Sequence, residues 1–165
     1  MSEKPILFTA EMILAKREGR KTVTCRVITN IPAYYTIGNK PQSYGPDDYA
    51  FFDRADPVGT YPTLASPRYN VGDLLWVKEA WAYYPDENHV IYRAREGVDL
   101  QSQGVNLKGC WKSSRFMLKK YARTWLEVVS VRAERSDEGL WVWRYEFKEY
   151  LRQGSEDNGR IHETT

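Results

Sequence analysis

The sequence predicts a mostly β chain with helices, an α+β domain built as a small β-barrel flanked by an N-terminal helix and a long Tyr/Pro-rich insertion. Three observations carry this prediction. Several short segments alternate apolar and polar residues with a period of two, as half-buried strands do. One segment, Thr9 to Gly19, carries both the start and the stop signals of a helix. The 165 residues, 42% hydrophobic and 28% charged, suit one globular core. A single domain is expected over residues 1–153, with the insertion at about 30–70 and a polar tail at 154–165.

Pro5–Phe8 reads as a short first strand. Thr9 is a good N-cap, since its hydroxyl can accept from a free backbone N–H of the first turn. The apolar positions Met12, Ile13 and Leu14 follow. Gly19 supplies the stop, and Lys16, Arg17 and Arg20 complement the negative end of the helix dipole. Lys21–Ile28 then reads as a strand. One face carries Lys21, Val23, Cys25 and Val27 and is expected to meet the core after Lys21; the other carries Thr22, Thr24, Arg26 and Ile28.

Between Asn30 and Asn70 lie six of the eight prolines and six of the twelve tyrosines. This predicts a long excursion with one strand near Tyr49–Phe52. Its tyrosines suit either stacking on bases or pinning the loop to the body, and composition favours pinning. Leu74–Ala82 is the next strand, with Leu75, Val77, Glu79 and Trp81 on one face. Glu79 is thus an acid in an apolar stripe, where burial raises a carboxyl pKa unless a cation pairs with it. A structural ion pair and a catalytic role both fit that position. Strands are also expected at His89–Ala94, Thr124–Arg132 and Trp141–Phe147; in the last, Trp141, Trp143, Tyr145 and Phe147 form an aromatic face suited to a core.

The net charge is +2, but its distribution is uneven. Lys108, Lys112, Arg115, Lys119, Lys120 and Arg123 fall between Leu100 and Leu126 with no acid among them. Such a run is either a solvated face or the footprint of an anionic partner such as nucleic acid. Cys25 and Cys110 have no metal-ligand spacing, and with only His89 and His162 besides, neither metal nor cofactor is expected. Both cysteines are expected to be small buried hydrophobes. No apolar run is long enough to cross a bilayer and MSEKPILF lacks a signal-peptide profile, so a cytoplasmic location away from membranes is expected.

"GRKTVTCR" at 19–26 resembles the G-R-K-T-x-T-x-R element of ASCH domains, a branch of the PUA-like superfamily. The opening "KPILFTAEMILAKREGRKTVTCRVI", the block "SPRYNVGDLLWVKEAW" at 66–81 and "WKSSRFMLKKYARTWLEVVSVRAER" at 111–135 are similar to phage and prophage ASCH proteins in the same order. "WVWRYEFK" at 141–148 resembles their closing strand. The resemblance implies a barrel with a cleft beside the first helix that takes RNA, nucleotides or modified nucleosides. Some bacterial members are N(4)-acetylcytidine amidohydrolases, and matching their motif residue by residue implies Lys21 as base and Thr24 as nucleophile. A threonine hydroxyl needs such a base, and lysine serves only when burial or nearby cations lower its pKa.

The glutamate of those enzymes lies between the last two strands, where this chain has only the short stretch Ser136–Leu140. Glu79, in "WVKE", is the candidate acid in its place. Arg20, Thr22, Arg26, Lys112, Ser113 and Arg115 are the candidate substrate contacts. Two readings follow: an amidohydrolase acting on an N(4)-acylated cytidine, or a non-catalytic reader of RNA or modified bases. A ribonuclease-type ASCH protein of phage origin is a further alternative.

Overall fold

The helix begins and ends where its capping residues place it. In the computed structural model, which describes residues 1–38, 48–52, 62–84, 89–94 and 109–151, α1 spans Ala10–Arg17. Thr9 Oγ1 accepts from the Met12 N–H at 3.3 Å. At the other end Gly19 adopts φ 71°, a left-handed conformation that glycine reaches without a Cβ penalty. Its N–H donates to the Lys16 carbonyl and that of Arg20 to the Ala15 carbonyl, the paired bonds of a Schellman stop. The expected tail at 154–165 and segments 39–47 and 53–61 of the expected insertion lie outside the described residues, as does Lys108.

The strands are β1 Glu3–Leu7, β2 Val23–Val27, β3 Thr36–Ile37, β4 Tyr49–Phe52, β5 Thr63–Ala65, β6 Leu74–Lys78, β7 Trp81–Tyr83, β8 Val90–Tyr92, β9 Trp125–Arg135 and β10 Trp141–Glu149. The domain is therefore mostly β with one α-helix among the described residues. The main sheet has five strands in the order β1-β6-β9-β10-β2; β1 runs parallel to β6 and the other neighbours are antiparallel. Two small sheets, β3-β4-β5 and β7-β8, are separate. The expected barrel is not closed among the described residues, because no ladder joins the edge strands β1 and β2.

The core forms where the alternation of β10 predicts it. Trp141, Trp143, Tyr145 and Phe147 are buried, and Ile13 of α1 and Leu75, Val77, Leu126 and Val128 of β6 and β9 join them. The small sheet of the Tyr/Pro-rich stretch packs on this aromatic face. Phe51 meets Trp141 at 5.2 Å between ring centroids, and Tyr49 meets Trp143 at 4.9 Å. Tyr49 and Tyr69 are thus pins, and Tyr69 also donates through its hydroxyl to the Pro5 carbonyl at 2.8 Å.

Three expectations are corrected. The core face of β2 is the opposite of the expected one: Thr24 and Ile28 are buried, whereas Cys25 is exposed and Val27 is 52% exposed. The reason is register, since Thr24 stands opposite Tyr145 and Arg26 opposite Trp143, on the inward face of β10. Cys110 is exposed as well, so neither cysteine is a buried hydrophobe. The single strand expected over Leu74–Ala82 breaks after Lys78. There the Glu79 N–H turns to Met117 Sδ at 3.2 Å, and Trp81 starts a new strand against Tyr92.

Candidate functional site

The helix stop delivers the chain into β2 beside β1, which makes the Gly19–Arg26 junction a seam between the two edges of the main sheet. Arg26 spans it. Its Nη1 donates to Thr24 Oγ1 at 2.9 Å and to the Cys25 carbonyl at 2.9 Å, and its Nη2 donates to the Leu7 carbonyl of β1 at 3.3 Å. Lys21 is half-buried beside it, with Nζ 5.8 Å from the Phe8 ring centroid and donating to the Val23 carbonyl at 2.9 Å. Burial, and then the neighbouring Arg26 cation, hold the Lys21 pKa below the ordinary lysine value.

The other wall of the seam comes from the segment ahead of β6. The Arg68 N–H donates to Tyr145 Oη at 3.1 Å, and the Tyr69 and Tyr145 rings meet edge to face at 5.1 Å. Burial raises the pKa of the Tyr69 phenol, and Arg68 and Arg26 both act against that rise. Burial likewise raises that of Tyr145. Lys21, Arg26 and Arg68 form no ion pair with any carboxylate among the described residues. Arg68 and Tyr145 were not among the sequence candidates, and Tyr69 entered only as one of the tyrosines of the insertion. Their grouping depends on a contact between residues far apart in the chain, which no local spacing announces.

The three candidate catalytic residues are not joined. Thr24 is only 2% exposed and its hydroxyl oxygen accepts from Arg26, not from Lys21. Glu79 is 1% exposed, and Arg123 takes up both its oxygens, Nε to Oε1 and Nη2 to Oε2, each at 2.8 Å. This is a bidentate buried ion pair, the structural alternative open in the sequence, and its partner lies just ahead of β9. The Arg123 guanidinium also lies 4.0 Å from the Tyr92 ring centroid.

The remaining candidates fall in two segments of the chain. Arg20 pairs with Glu18, and Thr22 is exposed while its carbonyl accepts from the Phe147 N–H at 3.0 Å. Lys112, Ser113 and Arg115 belong to a short 3-10 turn at Ser114–Phe116 and its flank, which Ser113 caps by accepting from the Arg115 N–H at 3.3 Å, and the Arg115 carbonyl accepts from the Lys78 ammonium. Lys112 and Arg115 are exposed. Among the described residues no three His, Cys, Asp or Glu side chains gather as a metal site, and no helix is long and apolar enough to cross a membrane. Comparison with protein-family models, with curated proteins and with solved structures finds no match in any of the three.

Proposed function

We propose that this chain is an ASCH-like domain that binds RNA or a modified nucleotide at the seam between β1 and β2, as a reader and not as a hydrolase. The observation that carries the reading is a run of cations with no carboxylate partner among the described residues: Lys21 over Phe8 and beside Arg26, and Arg26 and Arg68 both near Tyr69. Cations held close together disfavour one another's charge, and a phosphate placed between them relieves that repulsion. Tyr69 and Tyr145 are buried, so they back these cations from the core and do not line the ligand's side. The burial of Thr24 and the saturation of Glu79 by Arg123 favour holding a ligand over cleaving it.

The test is equilibrium binding of cytidine mononucleotides and short RNA over a salt series. Affinity is expected to fall as salt rises and to drop in Lys21→Ala and Arg68→Ala. Binding that is insensitive to both substitutions and to salt overturns the reading.

A second reading, an amidohydrolase releasing acetate from N(4)-acetylcytidine, draws on one observation: the lowered pKa of Lys21, which is what a lysine base requires. It predicts turnover that Lys21→Ala and Thr24→Ala abolish. Absence of turnover by the wild-type protein that nevertheless binds the nucleoside decides for the reader.

A further inference from the structure

A second cluster of side chains carries its own recognition chemistry. β7 pairs with β8, and its first residue also forms a bridge with Lys112: the Lys112 N–H donates to the Trp81 carbonyl at 2.7 Å, and the Trp81 N–H donates back at 3.3 Å. That bridge carries the Lys112 side chain across the ring faces. Its Nζ lies 5.5 Å from the Trp81 ring centroid and 5.8 Å from that of Tyr83. Trp81, Tyr83 and Tyr121 form a closed aromatic group, with Trp81 at 5.3 Å from each tyrosine ring. The two phenol oxygens share a hydrogen bond of 2.8 Å, which fixes the rings at right angles. Lys120 lies 4.8 Å from the Tyr121 ring centroid.

Three features distinguish this cluster from ordinary packing. Tyr83 is 44% exposed although both of its aromatic neighbours lie inward of it. The Trp81 indole N–H is buried and meets no hydrogen-bond acceptor among the described residues, whereas buried indole donors normally find one. Lys112, Arg115 and Lys120 are exposed cations without an ion pair among the described residues, and the chain from Gly109 to Leu126 contains no acid.

We infer that the Trp81–Tyr83–Tyr121 cluster, with Lys112 and Lys120, is a stacking platform for a base of single-stranded nucleic acid. The exposed ring of Tyr83 offers its face to an unpaired base, and the two ammonium groups meet the phosphates on either side. Stacking of this kind is tolerant of sequence because every base has a π-face, and it excludes a duplex, whose bases are already stacked. The inference rests on the nucleic-acid reading above, but it concerns the strand beyond the nucleotide held at the seam.

The experiment measures anisotropy of a fluorescein-labelled oligouridylate, single-stranded and as a duplex with its complement, alongside mononucleotide binding. Tyr83→Ala is expected to weaken the single strand about tenfold and to leave the mononucleotide unaffected. Tyr83→Phe keeps the ring and is expected to retain binding within about twofold. The double variant Lys112→Ala/Lys120→Ala is expected to reduce the slope of log K against log salt by roughly 1.4, about 0.7 for each single-strand phosphate that a lysine no longer neutralises. Single-strand binding unchanged in both Tyr83→Ala and the double lysine variant overturns the platform, and so does equal affinity for the duplex. Mononucleotide binding that still responds to Lys21→Ala in that case leaves the seam reading intact. If neither oligonucleotide nor mononucleotide binds, both fail.

Discussion

Arg26 of β2 donates to the Leu7 carbonyl of β1, so one side chain ties together the two edge strands of the main sheet. The same guanidinium holds Thr24 Oγ1 in place. An edge strand presents backbone groups that no ladder satisfies, and a forked, permanently charged donor meets them without closing the sheet. Arg26→Ala is therefore expected to lower stability by about 1–2 kcal/mol, the size of a charge-assisted hydrogen bond in a half-exposed position. The check is the urea midpoint at unchanged denaturant slope. Arg26→Lys is expected to recover less than half of that difference, because an ammonium cannot span both acceptors.

Glu79 and Arg123 make a different kind of contact, with the carboxylate wholly inside. Removing one partner leaves the other charge buried and uncompensated, which typically destabilises by about 3–5 kcal/mol. Arg123→Ala and Glu79→Ala are each expected to fall in that range by chemical denaturation. The double variant Glu79→Leu/Arg123→Met, which removes both charges and keeps volume, is expected to be clearly more stable than either single variant. If the double variant is instead less stable by the sum of the two, the residues are not coupled as the geometry requires.

What the sequence disclosed and what it hid follow one physical line. The helix was legible because its caps are local: Thr9 and Gly19 satisfy backbone groups within a few residues of themselves. β10 was legible because a run of alternating aromatics has one stable way to sit on a core. The face of β2 was not. Val23, Cys25 and Val27 look like a core stripe, yet the register with β10 places Thr24 and Arg26 against Tyr145 and Trp143. Hydrophobic pattern is weak evidence in a strand whose inward face carries a guanidinium that is itself hydrogen-bonded. Glu79 was visible as a buried acid, but Arg123 could not be picked out among the basic residues of its segment. The same limit hid the contact of Arg68 with Tyr145 and the Trp81–Tyr83–Tyr121 cluster, because both join distant segments.

Asp73 latches the N-terminal strand to β6. It accepts from Ser2 Oγ at 2.6 Å, from Lys4 Nζ at 2.6 Å and from the Asn70 N–H at 2.9 Å. Burial pushes its carboxyl pKa up, but these three donors outweigh burial and hold it below the ordinary aspartate value. A carboxyl with a depressed folded-state pKa stabilises above its unfolded value, about 3.9, and loses that contribution as pH falls through the folded value. Asp73→Asn is accordingly expected to cost about 1–2 kcal/mol near neutral pH. The gap between wild type and variant should shrink below about pH 4, where the wild-type carboxylate is progressively protonated. Denaturation midpoints across an acid pH series test this; a gap independent of pH would exclude the latch as an ionised contact.

Lys21 titrates in the opposite sense. Its folded-state pKa lies below that of the unfolded chain, through burial first and Arg26 second, so between the two values the unfolded chain binds the extra proton. Stability from this site therefore rises as pH climbs through that window, up to the free-lysine value near 10.4. The direct measurement is site-resolved acylation of Lys21 by an amine-selective reagent as a function of pH, read by mass spectrometry. Its midpoint should lie below the free-lysine value, and Arg26→Ala should move it upward by part of the difference, since burial remains. On the proposed reading, a nucleotide phosphate at the seam would supply the opposite charge that Lys21 lacks. Binding should then raise the midpoint, slow acylation below it and draw a proton from solution, which makes affinity greater on the acid side of the Lys21 pKa. If saturating nucleotide leaves the acylation profile of Lys21 unchanged, the phosphate does not sit beside Lys21.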